Sequence, residues 1–574
     1  MGSFNFNLNK SNTYDAIVIG SGITGGWAAK ELCEKGLSTL VLEKGKMVDH
    51  IKDYPNADKD AWDETFRGML SDEDKAKQHV QVRSGYINAF SRNFFTNDLE
   101  NPYQEIQRFD WFRGNQVGGR SITWGRHTYR WSDLDFEANA KEGIAIDWPI
   151  RYKDIEPWYS YVERFIGVAG EKRNLPHLPD GDFLKPMEMN CIEKHFADHV
   201  QDGFNGRPVM MGRVAHLTET KPWHAALGRG TCQNRNRCGR GCPFGAYFSS
   251  NAATLPAANN TGKLTIRPNS VVHSIIMDKN TNKAKGVIII DSETNNTIEV
   301  FAKVIFLCAS TLASTQILMH SKSERYPNGL GNESGELGHN VMDHHHNVGA
   351  MGSYEGMKDS YYKGRKPSGL FIPKYVNLND QTKQSTFKRG FNYQGGDAIR
   401  KSWNRGVNEV GVGASFKDSL MNPGDWHLSI MAFGEVLPYH ENKVTLHPTL
   451  TDKWGIPQLV IDAGFKDNEW NMRKKMKTDA QEMFEKAGFK NIKAFDNPTA
   501  LGNSIHEMGT ARMGKDPKTS VLNAHNQVHG IPNLFVTDGA CMTSSNSVNP
   551  SLTYMALTAR AVDFAVGELK KQNL

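Results

Sequence analysis

The stretch from Tyr14 to Glu43 constrains this chain more than any other. It reads Tyr14-Asp15-Ala16-Ile17-Val18-Ile19-Gly20-Ser21-Gly22-Ile23-Thr24-Gly25, then a helical run, then Ser38-Thr39-Leu40-Val41-Leu42-Glu43. A short apolar, β-branched run suits a buried parallel strand. Gly20 permits a tight turn, Gly22 lets backbone approach a pyrophosphate, and Gly25 lets helix and strand pack closely. Phosphates would then face the open amides at a helix N-terminus, beside Ile23 and Thr24. The helix is expected from about Gly25 to Lys35, with Gly36 as its C-terminal cap. The second strand stops on Glu43, followed by Lys44, near the ~20-residue distance at which an acid meets a ribose diol. A GxGxxG alone is a weak signal, because a surface glycine loop reads the same way. Strand, loop, helix, strand and acid in that order specify a dinucleotide site. An acid where a 2′-phosphate would want a base points to FAD or NAD rather than NADP.

At 574 residues the chain can bury a large core, and two interleaved domains are expected. A net charge of +5 without a run of five basic residues gives no sign of a nucleic-acid or polybasic membrane surface. No apolar stretch reaches the roughly 18 residues needed to span a bilayer. The polar start, Met1 to Thr13, lacks a signal-peptide apolar region, so the expectation is a soluble chain, cytoplasmic or exported with a signal-bearing partner. The 7 cysteines, an odd number over a long chain, make a poor disulfide framework. Three of them crowd one short loop.

Along the chain there is no internal repeat. Residues 46–110 are polar and aromatic with little period, expected to pack over the nucleotide. Val117-Gly118-Gly119-Arg120-Ser121-Ile122-Thr123-Trp124-Gly125 follows, where a glycine pair lets backbone approach a flat ligand. Residues 150–200 read as helical, with Tyr159, Val162 and Phe165 on one face. From Leu264 to Leu307 the pattern is β-like, with turns at 278–283 and at Asn295-Asn296. The last of these strands, Val304–Leu307, is expected to complete the nucleotide sheet and to lead through Ala309 and Ser310 into a helix, Leu312–Ser321. Residues 340–500 hold alternating stretches such as Val444–His447 and a helix near Trp470–Ala487, mostly assigned to a substrate-facing domain. The chain ends in a helix from about Leu552 to Leu569.

Four stretches together resemble the glucose–methanol–choline (GMC) family of flavoprotein oxidoreductases. They are Gly20–Glu43, Val117–Gly125, Leu337-Gly338-His339-Asn340-Val341-Met342-Asp343-His344, and His506-Glu507-Met508-Gly509-Thr510 with its tail through Asp538-Gly539 to Asn549-Pro550-Ser551. The resemblance spans the chain in family order. It implies non-covalent FAD, since Thr123 stands where some relatives carry a flavin-linked histidine. It also implies an α/β fold: a doubly wound, Rossmann-like FAD domain (1–45, 110–130, 225–340, 500–574) and a discontinuous sheet-plus-helices substrate domain with covering segments (46–109, 131–224, 341–499). His506 and Asn549 match the pair that faces the flavin in the family. The chemistry wants such a pair: an imidazole takes the hydroxyl proton as hydride leaves the carbon, and a neutral amide holds the same oxygen. Asp538, Gly539, Pro550 and Ser551 are implied near the pyrophosphate and ribityl chain, and Val272 near adenine. The run His344-His345-His346 invites a metal, but neighbours on a strand point to opposite faces.

The cysteine loop, residues 229–245, has the spacing Cys232-x5-Cys238-x3-Cys242. Three thiolates could cap three irons, with Gly239, Gly241 and Gly245 leaving amides for sulfur. Arg229, Arg235, Arg237 and Arg240 are expected to favour thiolates and offset cluster charge. Zinc would need a fourth ligand, for which His224 is awkwardly placed, and a disulfide would leave one thiol over. The spacing resembles cluster-bearing catalytic subunits of bacterial sugar dehydrogenase complexes in the same family, which implies a 3Fe-4S cluster. The expected function is a sugar dehydrogenase acting on a pyranose or glycoside, at C3 of glycosides first and C1 of glucose next. Its electrons would pass to cytochrome c or quinone, and it would reach the periplasm with a small twin-arginine-exported subunit. The alternatives are an oxygen-using pyranose oxidase, a gluconate or other polyol dehydrogenase, and a flavin module that only relays electrons.

Overall fold

The structure, a computed structural model, describes residues 3–361, 364–400, 411–421 and 423–574. The opening unit forms as its residues dictate: strand β1 (Thr13–Ile19), helix α1 (Ile23–Glu34) and strand β2 (Thr39–Leu42). β1 and β2 run parallel and are buried where they pair, Ala16 with Thr39 through Ile19 with Leu42. Gly20 takes φ +95, and a Cβ on Gly25 would lie 1.9 Å from the Gly20 carbonyl oxygen, so α1 can rest on the loop only there. α1 begins at Ile23 rather than Gly25 and closes at Gly36, whose φ is +91.

The parallel order is Leu264–Arg267, β2, β1 and the carboxyl half of the long strand Thr297–Leu307, with Leu534–Val536 outermost. The amino half of Thr297–Leu307 instead pairs antiparallel with Ala284–Asp291, which pairs with Ser270–Met277. The sheet is therefore not complete at Leu307. Leu534–Val536 pairs with Ile305–Leu307, and Phe535 stacks on Phe306 at 4.9 Å. A three-residue strand is too short to announce itself by period. Helices Thr254–Asn260 and Ser551–Lys570 pack on α1.

A second sheet is antiparallel throughout, in the order Lys490–Asp496, His344–Tyr354, Trp426–Glu435, Phe391–Gly395, Leu370–Ile372 and Met210–Met211. One face buries Ala350, Leu428 and Ile430 against Met472, Met476 and Phe484 of helix Asp467–Lys486. By alternation, the other face turns Met351, Gln394, Ser429, Met431, Phe433 and Phe495 toward a cavity.

The expected helix over 150–200 is two helices, Tyr152–Ile166 and Cys191–Gly203, separated by irregular chain. Tyr159 and Val162 are fully buried, while Phe165 is half-buried, edge-on to Trp27 at 5.2 Å. Residues 46–110 form short turns, one six-residue helix, Asp72–Lys77, and a two-residue strand, Gln104–Glu105, paired with Val460–Ile461, and give Tyr86, Ser91, Phe95 and Asn101 to the cavity wall. No helix among the described residues is long and apolar enough to cross a membrane.

Candidate active site

Between the two sheets lies a cavity of about 990 Å3, at the upper end of the ~300–1,000 Å3 typical of small-molecule sites. Loops at the carboxyl ends of the parallel strands form one wall, as doubly wound sheets favour. That wall carries Gly20, Gly22, Ile23 and Thr24, then Glu43 and Lys44, then Gly119, Ser121, Thr123, Trp124 and Gly125. Val272, Ala309, Ser310, Asp538, Gly539 and Ser551 extend it, and His506 and Asn549 stand at the end facing the antiparallel sheet. Four residues expected to bind cofactor lie one layer behind instead. Gly25 is covered by the Gly20 carbonyl, Val117 is sealed in the core, and Pro550 caps the last helix. Gly118, at φ +93, backs onto Asn251, whose Oδ1 would lie 1.7 Å from a Cβ there.

The wall suits a dinucleotide. No side chain caps the N-terminus of α1 and no acid sits in its first turn, so its amides stay open to an anion. A Cβ on Gly22 would meet nothing within 4 Å, so this glycine borders empty space rather than protein. Glu43 Oε2 accepts from the Ser21 backbone N–H (3.1 Å) and hydroxyl (2.5 Å), and Oε1 from Gly45 N–H (3.0 Å). Burial pushes the Glu43 carboxyl up while those bonds pull the other way. A carboxylate offers about four acceptor sites, so one remains for a ribose hydroxyl. Asp538 accepts from Ser314 and from Ala540 N–H (3.0 Å), and burial pushes it up to about 6.

At the other end, one hydrogen-bond chain fixes the protonation of His506. His344 Nε2 lies against the Asn546 carbonyl, which can only accept, so Nε2 carries the proton and Nδ1 is bare. His344 Nδ1 is 2.8 Å from His506 Nδ1, so the latter must be the donor. That leaves His506 Nε2 with its lone pair, 3.2 Å from the Asn549 amide nitrogen. Asn549 is oriented in turn by Gln394, which donates to its Oδ1 at 2.8 Å. Burial, with neighbouring His344, Arg120, His346 and His127, holds His506 well below the ordinary histidine value, and burial lowers His344 to about 4. Both rings are neutral, and the open nitrogen of His506 keeps its lone pair free to accept a proton.

The loop bearing His506 is pinned from behind. Asp343 accepts from His506 N–H (3.0 Å) and Ser504 N–H (3.1 Å), and burial with nearby Glu507 pushes it up to about 8. Glu507 grips Arg120 through two bonds of 3.1 and 2.7 Å, tying the His506 loop to the glycine-pair loop. His345 faces away from its neighbours and His346 Nδ1 meets the Ser504 hydroxyl at 2.7 Å, so the histidine run spreads as a strand should. Sequence reasoning missed His344 and Gln394 as partners of the pair. His344 closes a motif already singled out, but Gln394 carries no local signal.

The three loop cysteines are free and half-buried, and close enough to influence one another's ionisation. Gly239, between Cys238 and Cys242, lines the cavity, so this loop and the glycine loops share one wall. His224 is turned onto the Arg164 carbonyl at 3.2 Å. Among the described residues no three His, Cys, Asp or Glu side chains converge as ligands for a single ion. The arginines divide: Arg229 bears on Cys242 and Arg235 on Cys238, as expected, while Arg237 and Arg240 turn outward. Arg235 pairs with Asp58, Arg237 with Asp60, and Arg240 with the Lys59 carbonyl, all on the overlying segment. Burial outweighs cations here, pushing Cys232 up to about 11 and Cys238 upward. The cation bearing on both is Arg126, which sequence reasoning passed over.

A glycine-loop wall at the ends of parallel strands, set against an antiparallel sheet, suits a dinucleotide-dependent oxidoreductase. Family profiles described as GMC oxidoreductase match residues 219–346 and 438–558. The chain is 25% identical over 577 residues to the fructose dehydrogenase large subunit of Gluconobacter japonicus, covering 98% of this chain and 99% of that one. It is 26% identical to the 2-methyl-1,2-propanediol dehydrogenase of Mycolicibacterium austroafricanum, covering 96% and 94%. A formate oxidase structure from Aspergillus oryzae RIB40 shares the fold at TM-score 0.62 and 15% identity, covering 97% and 99%. Over those two stretches the chain matches the GMC oxidoreductase family, and both relatives match along nearly its whole length.

Proposed function

We propose that this enzyme is a dehydrogenase that oxidises a ring carbinol of a pyranose or glycoside, with C3 of glycosides the favoured position and C1 of glucose next. The observation that carries this is the bare Nε2 of His506 beside the Asn549 amide, in the cavity shared with the Gly20–Thr24 loop. A substrate hydroxyl set between them would accept from Asn549 Nδ2 and give its proton to His506 Nε2. Removing that proton raises the electron density on oxygen that expels hydride from the carbon. FAD, when bound, supplies the hydride acceptor. Met351, Met431, Phe433 and Phe495 beside Gln394 and Ser429 suit a sugar ring bearing a second group.

Cys232, Cys238 and Cys242 would hold a 3Fe-4S cluster, a group that supplies one-electron exchange. Three free thiols on a loop that borders the cavity suit it, and each would cap a different iron, which needs no convergence on one point. That favours cytochrome c or quinone over oxygen as acceptor. The relative named as a large subunit supports assembly with a small partner, and periplasmic export with that partner carrying a twin-arginine signal. An anaerobic panel of sugars, glycosides and polyols, followed by flavin absorbance and product analysis, tests the reading. Flavin that stays oxidised with every carbohydrate ends it.

A further inference from the structure

We infer that Arg126 and Arg229 are built-in counter-ions for an anionic group on the cysteine loop. The inference rests on the proposed iron–sulfur site and deepens it. Arg130, Arg213, Arg389, Arg473 and Arg512 are buried too, and each meets a carboxylate: Glu163, Asp180, Glu142, Asp496 and Glu336 respectively. Buried Arg400, far from the cysteine loop in sequence, donates to the Gly424 and Lys358 carbonyls, beside the stretch outside the described residues. Arg126 and Arg229, 9% and 2% exposed, meet none among the described residues. Arg229 donates to the Gly245 carbonyl at 3.0 Å, the Ile166 carbonyl at 2.9 Å and the Phe165 carbonyl at 3.4 Å. Arg126 donates to the Trp124 carbonyl and to His216 Nε2 at 3.3 Å, and lies over the Tyr247 ring at 5.5 Å.

A buried cation without an anion is costly, and neutral carbonyls and rings offset that cost only in part. Both arginines flank the same loop. Arg229 bears on Cys242, and Arg126 bears on Cys232 and Cys238. Arg126 also holds φ +64, a conformation that side chains other than Asn and Gly rarely adopt, and lines the flavin cavity. Three thiolates around an iron–sulfur core supply the missing negative charge. Reduction adds one more electron to that group, so two fixed cations favour its reduced state over its oxidised state.

The test uses full-length purified enzyme with Arg126→Met and Arg229→Met, made in the native chain and in a chain with all three loop cysteines changed to Ser. Iron analysis and EPR of the native enzyme come first; a native enzyme without iron overturns the cluster and this inference together. With iron present, each arginine change should shift the cluster potential negative in an EPR-monitored titration, and Arg→Lys should restore most of the shift. Melting temperature should fall on arginine removal in the cluster-bearing chain and rise in the Ser background, where a lone buried charge has been taken out. Equal melting shifts in both backgrounds, or an unmoved cluster potential, overturn the inference while leaving the cluster standing. A shift confined to the flavin potential places Arg126's anion in the cavity and overturns its share.

Discussion

The Nδ1 atoms of His344 and His506 lie 2.8 Å apart, and only one of them can carry the proton between them. Because the Asn546 carbonyl commits His344 to Nε2–H, the base in this site is oriented by a backbone oxygen two residues removed through rings. His506→Ala should retain FAD and slow substrate-driven flavin bleaching by roughly 10²–10⁴-fold, the usual share of a positioned general base. Stopped-flow absorbance under nitrogen measures it, and bleaching at the native rate would remove His506 from the mechanism.

Gln394→Leu removes the donor that keeps the Asn549 oxygen turned from His506. The amide then loses its preferred orientation. We expect a fall of about tenfold, equivalent to ~1.4 kcal/mol, in the bleaching rate constant, with FAD content unchanged. A change confined to KM would assign Gln394 to substrate binding instead.

The depressed value of His506 fixes a pH profile. An ordinary histidine would be half protonated near pH 6.5 and half idle as a base. Here the lone pair survives below that pH, so the bleaching rate should stay level as pH falls through 6.5. It should drop near 4, where His344 takes a proton at Nδ1 and can no longer accept from His506. A midpoint at 6.5 would contradict the buried, neutral relay.

Gly22 and Gly25 should respond differently to the same change. Gly25→Ala drives a Cβ into the Gly20 carbonyl oxygen, and overpacking of this kind costs about 1–3 kcal/mol or more. Gly22→Ala meets no protein atom within 4 Å, so the cofactor-free fold should melt as the native one does while FAD affinity falls. Thermal melts with and without added FAD separate the two.

Changing Cys232, Cys238 and Cys242 together to Ser should abolish iron content and reduction of one-electron acceptors. The sugar-driven bleaching step should persist, because no cysteine touches His506 or Asn549. Loss of bleaching in a folded, FAD-loaded variant would make the loop structural.

What the sequence made legible was what is local. β1, the glycine loop, α1, β2 and Glu43 are contiguous, and each of their requirements is a matter of backbone conformation or period. The helix ending the chain was placed to within a residue, Ser551–Lys570, because a long periodic run announces itself. Leu534–Val536 was not legible as a strand of the flavin sheet, since its partner is distant in sequence and three residues show no period. The arginines show the same limit. Proximity along the chain suggested Arg237 and Arg240, but both reach outward to the 58–60 segment, and Arg126 arrives from another loop. Gln394 sits on a strand with nothing around it to mark its use; only the folding of two sheets against each other brings it to Asn549.

The split pairing of Thr297–Leu307 has a consequence for how the enzyme folds. Ile305–Leu307 pair with β1 on one side and on the other depend on Leu534–Val536, a neighbour far onward in the chain, and the histidine and asparagine of the proposed pair lie in that same distant stretch. Closing that edge of the dinucleotide-binding sheet and bringing the proposed pair into place are thus parts of one long-range folding step.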